Sequence, residues 1–199
     1  MEGSTEPRSS RRIILVVLFI GVVAIGLLAV WLTPRKTSPD SDQFSGASAF
    51  QYVEAQVSFG PRPTGSEANK RTGDYILNEL KRLGWQAETQ EFTYHSTLVR
   101  NIIGKNAVGQ GPIVILGAHY DTRMRADRGP INPDAPVPGA NDGASGVAVL
   151  LELARSLTIN RLHNEIWLTF FDAEDNGGIE GWDWIVGSTY HHTSNNDPI

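Results

Sequence analysis

Apolar positions along the chain form one long uninterrupted run, followed by short runs that alternate between helical and extended spacing. Ile13 to Leu32 is 20 residues without a charged side chain. At ~1.5 Å per residue, a helix of that length crosses the roughly 30 Å hydrocarbon core of a bilayer. Arg8, Arg11 and Arg12 precede the run, Arg35 and Lys36 follow it, and Trp31 sits at its far end, where an amphipathic ring suits an interface. A cleaved signal peptide has a shorter apolar stretch with a small-residue site close behind, and Ala47-Ser48-Ala49 lies too far downstream for that. The pattern predicts a cytoplasmic tail over 1–12, one transmembrane anchor over 13–32, and a linker rich in Pro, Ser, Thr and Asp over 33–46. The remainder, 47–199, is expected to be exported.

Within that remainder, Phe50, Val53 and Val57 recur at helical spacing and predict a short amphipathic helix over 47–59. Gly60-Pro61-Arg62-Pro63-Thr64-Gly65 ends it. Ser66 is a natural N-cap, with Glu67 in the first turn, for a helix whose apolar face is Ile76, Leu77, Leu80 and Leu83 and whose stop is Gly84. Trp85–Tyr94 and Val99–Ile103 read as strands. Ile113–Leu116 and Ile166–Phe171 are short continuous apolar runs of the kind that suits central strands buried on both faces. Between them Val147–Leu157 is helical, with apolar residues at 147, 150, 151 and 154. Strand, helix, strand of this type is the βαβ signature of a parallel or mixed sheet. The stretch Thr122–Pro138 holds four prolines and is expected to run over the surface.

Composition removes several functions. The 199 residues include no Cys, which excludes a disulfide scaffold, a cysteine nucleophile and a thiolate metal site. Net charge is −5, and no basic stretch is dense enough to track phosphates, so nucleic acid is not an expected partner.

Three polar clusters fall at the ends of predicted elements, where an open α/β sheet places its ligands. His119 and Asp121 follow the strand at 113–116 and point to one side if the extended conformation continues. An isolated pair of this kind is ordinarily only a hydrogen-bonded couple. Asp142 lies in Gly139-Ala140-Asn141-Asp142-Gly143-Ala144-Ser145-Gly146, just ahead of a helix N-terminus, which alone is a plain cap and turn. Glu174 and Asp175 follow the last apolar strand. Together these clusters gather four carboxylates and an imidazole in one region, and such a concentration of negative charge calls for a cation. A divalent metal held by carboxylate and imidazole answers it, and zinc accepts those donors.

The segments Ile115-Leu116-Gly117-Ala118-His119-Tyr120-Asp121-Thr122, Gly139 to Gly146 and Phe170-Phe171-Asp172-Ala173-Glu174-Asp175, in that order, resemble metallopeptidase family 28. That family comprises zinc aminopeptidases and the related glutaminyl-peptide cyclotransferases. Phe59 to Ser66 is also similar to it, and the likeness covers about residues 47–190. It implies a three-layer α/β fold with a mixed, mostly parallel sheet. It also implies enzymatic action on free peptide N-termini and membership of the zinc metalloenzymes. By the resemblance Asp142 and Asp175 match metal ligands, and Glu174 matches the general acid/base. His119 matches a ligand of the two-zinc peptidases but not of the one-zinc cyclases, with Asp121 orienting it.

Asp175 stands where the peptidases usually carry Glu. Eleven residues (176–186), including Trp182 and Trp184, separate it from Gly187-Ser188, more than the peptidases use. Both features resemble the bacterial glutaminyl cyclases, and the two tryptophans could wall a pocket for a glutamine side chain. The family pattern includes a further Asp and a late His that have no counterpart here. His191 and His192 come too early and, at a helix end, are expected to be exposed. The sequence therefore reads as the N-terminal part of a catalytic domain, with weak or no activity alone and an open apolar edge on its last strand. Cyclase, aminopeptidase and a membrane-tethered domain without catalysis are the three functions compatible with it.

Overall fold

The computed structural model describes residues 43–157 and 163–196. The expected anchor at 13–32, and all but the last four residues of the linker, lie outside them. No helix among the described residues is long and apolar enough to cross a membrane.

Helix α1 (Gly46–Ser58) starts at Ser45, whose hydroxyl accepts from the Ser48 amide at 3.2 Å. Its buried positions are Ala49, Tyr52 and Gln56, whereas Phe50 is 60% exposed. The expected face through Phe50 is thus corrected by about one position around the helix. Gln56 sets this rotation: its amide donates to the Tyr52 carbonyl at 2.9 Å and to the Ala144 carbonyl at 3.1 Å. Helix α2 (Glu67–Arg82) begins at the Ser66 cap, has Lys81 and Arg82 in its last turn, and ends ahead of Gly84 at φ +83°. That left-handed conformation suits glycine. Ile76 and Leu80 are fully buried.

Strands β1 (Gln86–Tyr94) and β2 (Thr97–Asn106) pair antiparallel around the two-residue turn His95-Ser96, both at positive φ. Such a turn matches the twist of a hairpin. Strand β3 (Ile113–His119) leads through helix α3 (Ala144–Ser156) to β4 (Glu165–Phe171), which pairs parallel to β3 and antiparallel to β2. The order is β1-β2-β4-β3.

Two expectations are corrected here. Among the described residues the sheet has two antiparallel pairings and one parallel, so it is mixed but not mostly parallel. A tight hairpin forces the first pairing, and only the connection from β3 to β4 is a helical crossover. The open edge also lies on β3 rather than on the last strand, because the crossover returns β4 into the centre. Ile113 and Ile115 of β3 are about half exposed (51% and 50%), whereas Leu168 and Phe170 of β4 are fully buried.

One face of the sheet carries α2 and α3, which bury Leu80, Leu151, Ile102, Leu168 and Phe170 in a common cluster. Each such side chain contributes roughly 1.5–3 kcal/mol of burial. The Trp85 indole closes it by donating to the Ala154 carbonyl at 3.0 Å. Helix α4 (Val186–Asn196) lies on the other face. Tyr190 stacks on Phe92 at 3.9 Å, and Asn101 donates to the Gly187 carbonyl at 2.9 Å. The result is helix, sheet and helix in three layers. His191 is buried against Trp167 and Phe171, contrary to the expected exposure. The helix end lies flat on the sheet and turns one histidine inward, leaving His192 exposed.

Candidate active site

The parallel pair β3 and β4 ends on one side of the sheet, and three loops meet there. His119 is the last residue of β3. Its Nδ1 lies 3.3 Å from Asp121 Oδ1, and its Nε2 lies 2.9 Å from Asp142 Oδ1. Burial alone would lower the imidazole pKa, but the hydrogen bond and charge of Asp121, then those of Asp142, raise it to about 9. The raised pKa favours the charged ring, with a carboxylate oxygen facing each nitrogen. Gly143 makes the approach feasible, since a Cβ there would strike the His119 carbonyl and ring.

Asp121 is completely buried and accepts from the Glu174 amide at 3.2 Å on each oxygen and from the Asp175 amide at 3.2 Å. The acidic turn is therefore hung from the same carboxylate that orients His119. Ala173, just before the acids, has φ +60°, a conformation that costs a residue with a Cβ of order 1–3 kcal/mol. The side chain of Glu174 is gripped from α4: the Ser188 amide donates to Oε1 at 2.7 Å and the Ser188 hydroxyl to Oε2 at 2.8 Å. Burial raises the Glu174 pKa, and the two Ser188 bonds oppose the rise. Burial also raises Asp175, reinforced by the charges of Asp142 and Asp121. The structure thus brings together His119, Asp121, Asp142, Glu174 and Asp175.

The two tryptophans differ in burial. Trp182 is buried in a small cluster with Val99, Ala173 and Val186. Trp184 is 42% exposed and lines a cleft of about 380 Å³ with Phe92, Tyr94 and Tyr190, to which none of the five residues above contributes.

Three further residues support the site without having been singled out from sequence for it. Arg62 is fully buried, and its guanidinium donates to five main-chain carbonyls, those of Tyr120, Gln56, Gly60, Pro138 and Gly139. Its place between two prolines was the available signal. Asp172 accepts from Asn69 (2.9 Å), Thr64 (3.1 Å) and the amides of Arg100 (3.2 Å) and Ala173 (2.8 Å). Burial, then the charge of Asp121, pushes its pKa up to about 7. Ser188 was visible only as a spacing marker.

As a metal site, the donors fit zinc in kind, being imidazole and carboxylate. His119 and Asp142 converge, and Asp175 is near enough to feel the charge of both. In number they fall short: among the described residues no three His, Asp or Glu side chains stand together as a complete ligand group.

Known proteins resemble this chain in sequence and fold. The profile of peptidase family M28 matches residues 99–199. The uncharacterized protein YfbL of Escherichia coli K12 is 32% identical over 126 residues, which is 63% of this chain and 36% of YfbL. The solved structure of a Zn-dependent exopeptidase from Parabacteroides distasonis superposes with TM-score 0.71 at 37% identity, covering 79% of this chain and 59% of that one. Tannerella forsythia glutaminyl cyclase superposes with TM-score 0.68 at 37% identity, covering 74% of this chain and 55% of its own. The chain thus spans about a third of the length of its curated relatives. With a family profile running from β2 through the site and the same α/β framework in zinc exopeptidases and glutaminyl cyclases, the chain belongs to peptidase family M28.

Proposed function

We propose that this chain serves the zinc-dependent cyclisation of N-terminal glutamine to pyroglutamate, with release of ammonia. The observation that carries the reading is the engagement of both His119 nitrogens by carboxylates, at 3.3 Å to Asp121 and 2.9 Å to Asp142. In the cyclase reading the imidazole keeps this role and orients Asp142, whereas an aminopeptidase would use its Nε2 as a donor to a second metal. The Glu174-Asp175 pair and the long segment 176–186 point the same way.

Zinc held by Asp142 and Asp175, with its remaining donors from outside the described residues, would polarise the γ-carbonyl of the substrate glutamine. Glu174 accepts a proton from the α-amine as that nitrogen attacks the γ-carbon. It then returns a proton to the amide nitrogen as the old C–N bond breaks and ammonia leaves. Its burial-raised pKa lets it hold the proton between the two steps, and Ser188 fixes both of its oxygens.

The test offers the zinc-loaded full-length natural protein one peptide beginning with glutamine and one beginning with leucine. Pyroglutamate and equimolar ammonia from the first, nothing from the second, and loss of both products in Glu174→Gln are expected. Free leucine together with about two zinc ions per chain would overturn the proposal in favour of an aminopeptidase. Zinc binding without either product would overturn it in favour of a binding domain.

A further inference from the structure

Arg123 lies on the loop after β3, outside the five residues above, yet its side chain reaches the acidic turn. Only 11% of that side chain is exposed. Asp127, one helical turn ahead in sequence, holds the guanidinium as a fork: Nε faces Oδ1, and Nη2 donates to Oδ2 at 2.7 Å. The fork leaves Nη1 aimed at the Asp175 carbonyl, to which it donates at 2.6 Å, while Nη2 also reaches the Gly177 carbonyl at 3.3 Å. Above the guanidinium lies Trp184, whose ring centre is 4.8 Å from Arg123 Cζ and 5.2 Å from Arg128 Cζ. The indole in turn packs on Gly177, where any side chain would strike it.

Asp121 holds the acidic turn by its amides, and Arg123 holds it by its carbonyls. Both grips bear on a segment that enters through the unfavourable φ of Ala173 and would relax if released. Meanwhile Asp175 Oδ1 stays 3.9 Å from Nη1, a long ion pair beyond hydrogen-bond distance, so Arg123 grips the main chain of Asp175 and not its carboxylate.

We propose that Arg123, oriented by Asp127 and covered by Trp184, is the positioning residue that aims Asp175 at zinc. This inference rests on the reading of Asp175 as a zinc ligand. It assigns Trp184 to the support of the metal site and not to a substrate wall. Arg125 on the same loop has a different task, since it pairs with Glu180 at 3.4 Å and Asp134 at 3.9 Å.

Charge and geometry make opposite predictions here. Arg123 is a cation beside a cation site, so if only its field mattered, Arg123→Met would bind zinc more tightly and Arg123→Lys would match wild type. If it positions Asp175, both variants lose the fork and both weaken zinc binding, by about 10–100-fold as for other outer-shell partners of metal ligands. The experiment measures the zinc dissociation constant of the full-length natural protein by competition with a fluorescent chelator. It compares wild type, Arg123→Met, Arg123→Lys, Asp127→Asn and Arg125→Met, with thermal melting recorded for each. Weakening in both Arg123 variants, a smaller loss in Asp127→Asn and no more than about a twofold change in Arg125→Met are expected. Tighter binding by Arg123→Met, or zinc affinity within threefold of wild type in both Arg123 variants, would overturn the positioning role while leaving the zinc reading intact. A wild-type protein that binds no zinc would overturn both.

Discussion

Replacing Arg62 with methionine keeps much of the side-chain volume and removes every donor from the junction of three loops. The guanidinium reaches the carbonyls of Gly139 at 2.7 Å, Pro138 at 3.0 Å, Tyr120 at 3.1 Å and Gly60 at 3.2 Å, with a weaker fifth to Gln56 at 3.5 Å. A hydrogen bond from a charged donor is worth about 1.5–3 kcal/mol net, so the four good ones amount to roughly 6–12 kcal/mol. Burying the guanidinium opposes this by several kcal/mol. Methionine escapes that cost but leaves the carbonyls without a donor, and the net loss expected is about 3–5 kcal/mol. This is a large part of the 5–15 kcal/mol that ordinarily separates folded from unfolded chains. The assay is urea unfolding followed by tryptophan fluorescence. Arg62→Lys, which keeps the charge and some of the donors, is expected to fall between methionine and wild type. Because 1 kcal/mol moves the melting temperature of a domain this size by about 2–4 °C, Arg62→Met should melt about 6–20 °C lower. A loss under about 1 kcal/mol would refute the reasoning, since it would mean that the carbonyls find water as good a partner as Arg62.

Titrating the His119 ring by NMR in metal-free protein should give a midpoint near 9, falling in Asp142→Asn; a midpoint at or below 6.5 would contradict the two-carboxylate clasp. The same shift links to stability: a histidine raised from 6.5 to about 9 stabilises the fold fully below pH 6.5, and that contribution disappears as pH rises through 9. His119→Gln should flatten this part of a stability-against-pH curve. Ser188 lowers the Glu174 pKa, so Ser188→Ala should move the acidic limb of the kcat/KM profile to higher pH, because the base must be ionised to act. Gly187→Ala puts a Cβ against the Asp172 carbonyl and 2.6 Å from Asn101 Oδ1, and should destabilise by about 1–3 kcal/mol in urea unfolding.

Periodicity located the elements well: α2 and its caps, both hairpin strands and the crossover helix lie within a few residues of their expected bounds. What it could not locate was their neighbours. Ile113–Leu116 is as apolar as Ile166–Phe171, yet one run forms the edge and the other the centre, because strand order depends on where the crossover returns. Phe50 shows the same limit at the level of one helix face, where buried Gln56 outweighs the apolar spacing through its two carbonyl bonds. The strand-end acids were readable because their residue types are costly to gather without a purpose. Ser188 was not, since a serine beside a glycine carries no local mark of what it will hold, and Arg62 was marked only by its place between two prolines.

The central place of β4 also fixes when the sheet can exist. Ile102 of β2 pairs with Phe170, and Ile115 of β3 pairs with Trp167. During synthesis the β1–β2 hairpin forms early from adjacent residues, but β3 has no partner when it leaves the ribosome. It must wait through the whole of the proline-rich loop and α3 until β4 emerges and enters between two strands already made. Over that interval an apolar strand and the matching edge of β2 are both unpaired in the nascent chain, the condition in which long-range sheets are slowest and most open to aggregation.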